Sequence, residues 1–435
     1  MGNTYNYLTT VIRDLKEGFK TSPSLFLITL VLLTIPLNYA VNSIALGVYF
    51  GMTLLGIRKN TFKIDNNLLL PIMLFVLMAV SLIWTHDMSS SLKALSKSLP
   101  LLVVPICFFI TSPLNKEEKE ILIKNFSYGM LFFSLYYFLK AVIRFILTEK
   151  KSVFFYHELV TEDLNAIHFS VYISVALFYF ITRTHKSILD KISAVFLSLF
   201  LILLSSKNIT IVFLVLSLIY YLKTNKFITR NKLVQIAIFL LFLTAISFFG
   251  KIKDRILIEY KTNIEDNTLN NEIGSPDAKV YNVSVNQAWN QKVFKPNDYF
   301  PGAAFRVYQL RIFKEMLVED PIFFKGYGLN ASDFKIEEKR KEYNLYEDYG
   351  KKNFHNQYIQ IFAELGFLGF VLIVAMVFIN LKDGIKSKNF IHISFAVLML
   401  SLFLTESFLS RQRGIIFFTV LYCVFNSRRN ELANA

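Results

Sequence analysis

Apolar and polar positions along this chain separate into long blocks rather than alternating residue by residue. Residues 23–57 are mostly apolar but broken at Pro36 and Asn38, a pair that favours a turn, so two short spans are expected there. Further apolar runs follow at 68–84, 92–112, 127–147, 166–182, 192–205, 209–222 and 233–249. Three more, at 361–380, 390–408 and 415–426, close the chain. Many of these runs approach the roughly 20 residues that cross a bilayer as a helix. The expected fold is an all-α polytopic membrane protein of about twelve transmembrane helices.

The exception to this pattern is residues 251–353, rich in Asn, Asp, Glu, Lys and Tyr, between the ninth and tenth spans. The expected organisation is an N-terminal segment (1–22), nine spans (23–250), a large loop with an amphipathic helix (251–356), three spans (357–426) and a tail (427–435). Lys and Arg orient it. The N-terminal segment, five alternate short loops and the tail together carry 21 basic residues, whereas the short loops on the other side carry far fewer. The positive-inside rule then puts both termini in the cytoplasm and the large loop outside. In the N-terminal segment Tyr5, Leu8, Ile12, Leu15 and Phe19 recur at helical spacing opposite Arg13, Lys16 and Lys20. That pattern fits a helix lying on the membrane surface, and a frayed polar tail fits it equally.

Composition adds two restrictions. The chain is 54% hydrophobic, with 44 Phe and 22 Tyr, so its formal charge of +15 belongs to membrane loops and not to a nucleic-acid surface. Its two cysteines, Cys107 and Cys423, lie inside apolar spans and make neither a disulfide framework nor a metal-ligand spacing. No metal cluster, nucleotide loop or cofactor motif is visible, and none is expected.

Candidate chemistry gathers on the outward side, where cations should be scarce. Lys93 and Lys97 share one helix face, as do Lys140 and Arg144, while Lys207, Arg411 and Arg413 occupy outward turns. Together with Arg306 they suggest an outward cavity for an anion. Each side chain alone could equally reach lipid headgroups by snorkelling. Arg306 opens a helix whose apolar positions are Leu310, Phe313 and Leu317, with Met316 beside them, ended by Pro321. His355 and Asn356 stand where polar loop becomes apolar helix. A histidine there suits proton transfer near neutral pH, although a helix-capping pair gives the same spacing. Gly326-Tyr327-Gly328 could bring backbone close to a phosphate, but is more often a turn.

Three places in the chain resemble the O-antigen ligase and polymerase superfamily of bacterial membrane glycosyltransferases. Arg306, the helix after it, Pro321 and Gly326-Tyr-Gly328 are similar to one family segment. His355-Asn356-Gln-Tyr358 with Glu364, Gly366 and Gly369 resembles the family's most specific stretch. Glu406-Ser407-Phe408 with Arg411-Gln412-Arg413-Gly414 resembles its last outward turn. Three positions depart from the family pattern. Ser206-Lys207-Asn208 replaces a Ser-Arg-Gly-type turn, Leu310 replaces a frequent tryptophan, and the Gly-x-Gly lies two residues late.

The resemblance implies a GT-C-like fold in the bacterial inner membrane with its active site facing the periplasm. It implies metal-independent transfer of a glycan from undecaprenyl pyrophosphate to an acceptor hydroxyl, on lipid A–core or a similar molecule. His355 and Arg306 would be catalytic. Arg306, Lys207, Arg411 and Arg413 would bind the pyrophosphate, with Asn356, Glu406, Lys140 and Arg144 in support. The implied partners are the lipid-linked donor, the glycan acceptor and membrane lipid, with no nucleic acid. A single long outward loop favours a ligase over a polymerase. A transporter is disfavoured because the charges collect at one face and not at the midplane. A purely structural scaffold would leave His355 and Arg306 without a role.

Overall fold

The computed structural model describes residues 22–56, 62–111, 113–161, 164–224, 258, 260–270, 273 and 279–427. The N-terminal surface helix, the span at 233–249 and the tail after 427 lie outside the described residues. Among the described residues, five helices are long and apolar enough to cross a membrane: Asn66–Ile83, Met88–Ile110, Lys116–Thr148, Lys207–Thr224 and Gln357–Ser387. Shorter apolar helices cover Pro23–Leu33, Tyr39–Leu55, Ala166–Thr182, Phe390–Phe403 and Gln412–Asn426. The Ile188–Leu203 helix packs with them.

Local chemistry sets these boundaries. Asparagine is the recurrent N-cap: Asn38, Asn115, Asn165, Asn356 and Asn389 each accept backbone N–H groups of the following first turn. Pro23 and Pro100 start helices where a missing N–H costs nothing. The bundle encloses a continuous apolar core, while Ile44, Leu55, Leu139, Ile143, Ile146 and Leu147 point outward and exposed. Exposed apolar side chains on this scale suit lipid contact and not water.

The polar insertion has a core of its own, built on Phe294, Phe300, Phe305, Tyr308, Ile312, Met316, Tyr343 and Phe354. Its main helix is Gly302–Glu319, so Arg306 sits a full turn inside it and does not open it. The buried stripe is Phe305, Tyr308, Ile312 and Met316. Leu310, assigned from sequence to the apolar face, is 45% exposed. The stripe at i, i+3, i+7 and i+11 carries the larger aromatic surface and wins the inner face. Three two-residue strands, Thr268–Leu269, Tyr281–Asn282 and Asp298–Tyr299, form a small sheet, antiparallel then parallel.

Two glycine turns lock the insertion to the bundle. Inside Gln357–Ser387 the helix breaks at Gly366, which adopts φ +67° and ψ −165°. The break leaves the carbonyls of Ala363 and Glu364 without helical donors, and the N–H groups of Tyr327 and Gly328 bond them, each at 2.9 Å. Phe367 N–H in turn donates to Phe323 O at 2.7 Å. A side chain at Gly326 would collide with the Glu364 carbonyl, and one at Gly366 with the Phe324 carbonyl. The N–H groups of the Gly-x-Gly turn are therefore spent on docking and not on a phosphate.

Replacing Gly366 or Gly326 with Ala forces a Cβ into both a left-handed conformation and a backbone contact. Each substitution is expected to lower the thermal unfolding midpoint by several degrees and to raise protease cleavage within residues 279–353. Unchanged midpoint and cleavage would show that the docking contributes nothing.

Candidate functional site

The turn after Phe390–Phe403 is where the sequence-predicted residues converge. This helix stops at Phe403, before the expected end at 408, so Glu406 lies in a turn and not in an apolar span. Residue 405 supplies the anchor. Arg306 donates through Nη2 (2.9 Å) and Nε (3.3 Å) to the Thr405 carbonyl, and through Nη1 (2.8 Å) to Gly302 O. Among the described residues, three of its five N–H groups are thus used and two remain for a ligand. Asn356 caps its own helix with Oδ1 and donates Nδ2 to Leu404 O at 3.2 Å. Asn208, beside Lys207, donates to Thr405 Oγ1 at 2.7 Å and to Ser401 O at 3.1 Å. Lys207, expected in a turn, instead heads the Lys207–Thr224 helix, whose first turn is thereby fixed against the same residues.

His355 is the next residue, and it is not part of the helix it was expected to begin. It precedes the Asn356 cap with φ +46°, a left-handed conformation that costs a histidine on the order of 1 kcal/mol. The strain aims its ring at Glu406: Nδ1 lies 3.4 Å from Glu406 Oε2, with the histidine side chain 30% exposed and the glutamate 10%. With Nδ1 carrying the proton toward the carboxylate, Nε2 is left as an acceptor. Burial alone would raise the Glu406 carboxyl. The hydrogen bond from His355 and the nearby positive charge of Arg306 outweigh it and hold the carboxyl below its ordinary range. Burial pulls the Arg306 guanidinium down, against the opposing charges of Glu406 and Tyr156.

Farther along the same connection, Arg411 and Arg413 line a cavity of about 320 Å³ with Tyr39, His157, Leu164, Asn165 and His168, whose ring packs on Phe408. Arg413 is buried, donates Nη2 to Leu37 O at 2.7 Å, and lies over the Tyr39 ring at 4.3 Å. Arg411 is exposed at the rim. Arg144 serves the cavity indirectly: its Nη2 holds the carbonyls of Val153 (3.3 Å) and Glu158, fixing the loop that bears His157. Lys140 is half-buried on the same helix and is not among the cavity-lining residues.

A buried polar network braces the site from behind. Gln360 bonds Phe354 N–H (3.2 Å), Ser332 Oγ (3.3 Å) and Glu364, while Gln357 accepts from Leu409 N–H at 2.6 Å.

A model of the O-antigen ligase family, Wzy_C, matches residues 192–374. That match supports the O-antigen ligase superfamily. No curated protein matches the sequence. The matched stretch contains Lys207, Arg306, His355 and Asn356 of this O-antigen ligase-like protein, whereas Glu406, Arg411 and Arg413 follow it. Together with its apolar helices, the match supports a multi-pass membrane protein of the O-antigen ligase superfamily. Sequence reading passed over His157 and His168. The second carried a signal, since an ionisable residue inside an apolar span marks a candidate site.

Because the folded state holds Glu406 ionised below the ordinary carboxylate range, its contribution to stability is complete above the unfolded value of about 4.3. It is lost as pH falls through the folded value. Glu406→Gln is expected to cost about 1–3 kcal/mol at pH 7. The gap in unfolding midpoint between parent and variant should narrow as pH falls below the unfolded value and close beneath the folded one; a gap independent of pH would refute the stabilisation of the ionised carboxylate.

Proposed function

We propose that the protein is a ligase that moves a glycan from undecaprenyl pyrophosphate to a hydroxyl of lipid A–core or a similar acceptor at the periplasmic face of the inner membrane. The observation that carries this reading is the convergence of Arg306, His355 and Glu406 on one turn. His355 Nε2 takes the proton of the acceptor hydroxyl, and Glu406 orients the ring and stabilises the imidazolium that forms. The acceptor oxygen then bonds the anomeric carbon while the bond from that carbon to the pyrophosphate oxygen breaks. The leaving group departs with its electron pair and negative charge, which fixed cations are suited to stabilise: Arg306, with Lys207 beside it and one of Arg411 or Arg413. Lys207 would act as a point charge without the bidentate fork of an arginine.

This reading needs no metal or nucleotide. It also puts the large insertion outside the membrane, with the Gly302–Glu319 helix as the rim over the reacting groups. The single long polar insertion supports a ligase over a polymerase.

The test is a reconstituted transfer assay with labelled undecaprenyl-pyrophosphate glycan, with and without lipid A–core. Label is expected to move to lipid A–core, with at least a hundredfold loss in His355→Ala. A ladder of longer lipid-linked products that does not require lipid A–core would instead make it a polymerase. Equal transfer by parent and His355→Ala would remove His355 from the chemistry.

A further inference from the structure

The end of the bundle opposite the candidate site carries a second arrangement that the transfer chemistry does not use. Asn165 caps the Ala166–Thr182 helix beside the cavity of Arg411 and Arg413, and Arg183 caps its far end, about 25 Å away along the axis. There Arg183, Thr184, His185, Lys186, Ser187 and Lys191 line an open hollow of about 680 Å³. Arg183, Lys186 and Lys191 bring positive charge to it, and no carboxylate is among the lining residues.

The acid that accompanies these cations in sequence is already spent. Asp190 is fully buried and accepts from Arg183 Nη1 (3.0 and 3.1 Å), from Ser187 N–H and Oγ (2.8 and 2.9 Å) and from Tyr128 Oη (2.9 Å). Those bonds saturate the carboxylate and hold one edge of the Arg183 guanidinium, whose central carbon lies 5.6 Å over the Tyr179 ring. Among the described residues Arg183 keeps Nε and Nη2 unpaired, and the side chains of Thr184, His185, Lys186 and Lys191 make no hydrogen bond or ion pair. Ser187 is also the N-cap of the Ile188–Leu203 helix, so the positive end of that helix adjoins the same space. Lysines that merely snorkel need no fixed seat. Here the buried Asp190 fixes both the arginine and the backbone between the two helices.

Apolar surface specifies the kind of anion. Ile188, Ile192, Val195, Leu199 and Ile202 are each more than half exposed, and their spacing of four and three residues puts them on one face of the helix that begins at the hollow. The stripe runs for about 20 Å, comparable with one leaflet of the roughly 30 Å hydrocarbon core. A soluble phosphate would engage the cations and leave the stripe uncovered. An anionic phospholipid covers both, with its head group among the cations and an acyl chain along the stripe.

We propose that this hollow is a binding site for an anionic phospholipid, its phosphate held by Arg183, Lys186 and Lys191 and an acyl chain laid along Ile188, Ile192 and Val195. The site is separate from glycan transfer and does not rest on that reading. The bound lipid ties the connection between Ala166–Thr182 and Ile188–Leu203 to the membrane surface and makes stability depend on lipid composition.

The experiment follows the unfolding midpoint of the full-length protein in a non-ionic detergent as phosphatidylglycerol, phosphatidylethanolamine or glycerol phosphate is added. One variant is Lys186→Ala/Lys191→Ala. Its control is Lys382→Ala/Lys386→Ala, which removes two exposed lysines near the end of the Gln357–Ser387 helix. That end lies on the same side of the bundle, since the Phe390 ring just beyond it packs on Tyr220 at 4.8 Å and the Tyr220 hydroxyl donates to Thr182 O. Phosphatidylglycerol is expected to raise the parent's midpoint at lower concentration than phosphatidylethanolamine, and glycerol phosphate to leave it unchanged. The hollow variant should need roughly thirtyfold more phosphatidylglycerol, the combined effect of two basic residues beside an anionic lipid. The control pair should behave like the parent.

Equal stabilisation by phosphatidylethanolamine overturns the proposal, as does an undiminished phosphatidylglycerol response in Lys186→Ala/Lys191→Ala. An equal loss in the control pair also overturns it, because the effect would then belong to the whole surface and not to the hollow. Saturation by glycerol phosphate at the lipid's concentration overturns it too, since the ligand would be a soluble phosphate. Should the double variant be unstable without lipid, Lys191→Gln decides: an unchanged response overturns the proposal, and a weakened one supports it.

Discussion

The carbonyl of Thr405 is the point on which the rest of the site depends. A turn between two apolar helices would ordinarily leave its backbone acceptors to water. Here Arg306, from a helix ninety-nine residues earlier in the chain, places two N–H groups on that carbonyl, while Asn356 takes that of Leu404 and Asn208 bonds the Thr405 hydroxyl and the Ser401 carbonyl. Three separate segments are thus tied to one turn. Glu406 follows immediately and is held against His355, and Arg411 and Arg413 leave the turn on the cavity side. Arg306 therefore has two functions in the structure, one architectural and one electrostatic. Its remaining N–H groups retain the charge and direction needed for an anion.

That arrangement requires the insertion to be seated with a fixed register, and the break at Gly366 supplies it. A helix normally satisfies its own carbonyls. Interrupting it at a left-handed glycine exposes two of them at the bundle surface, and the turn at Gly326–Gly328 matches them with N–H groups. The contact is backbone to backbone, so it tolerates no side chain on either glycine. The buried Gln360 and Glu364 continue from the same place toward Ser332 and Asn330, joining the docking surface to the loop that carries His355.

Much of this was legible in the sequence because apolar length and asparagine caps fix where helices begin. Ala166–Thr182 matches its expected limits, and the break at 34–38 falls at Pro36 and Asn38. Arg306, His355, Asn356 and Glu406 were singled out as separate residues and are brought to one turn. What was not legible depends on long-range contacts. Leu310 looked apolar-facing on helical spacing, but aromatic packing turned the helix by its larger residues. The Gly-x-Gly, read as more often a turn than a phosphate cradle, is a turn whose N–H groups are engaged by Ala363 and Glu364. His168 carried only the signal of a lone ionisable residue in an apolar run, with no spacing beside it to strengthen the reading.

The central claim is that His355 and Glu406 act as one unit in glycan transfer, and a double-mutant cycle on the transfer rate tests it most directly. The rates of His355→Ala, Glu406→Gln and the double variant would be compared with the parent in the reconstituted reaction. Groups acting as a unit are strongly non-additive. The double variant should therefore be no slower than His355→Ala alone. Losses that multiply would show that the two residues contribute independently, and the paired mechanism would be wrong.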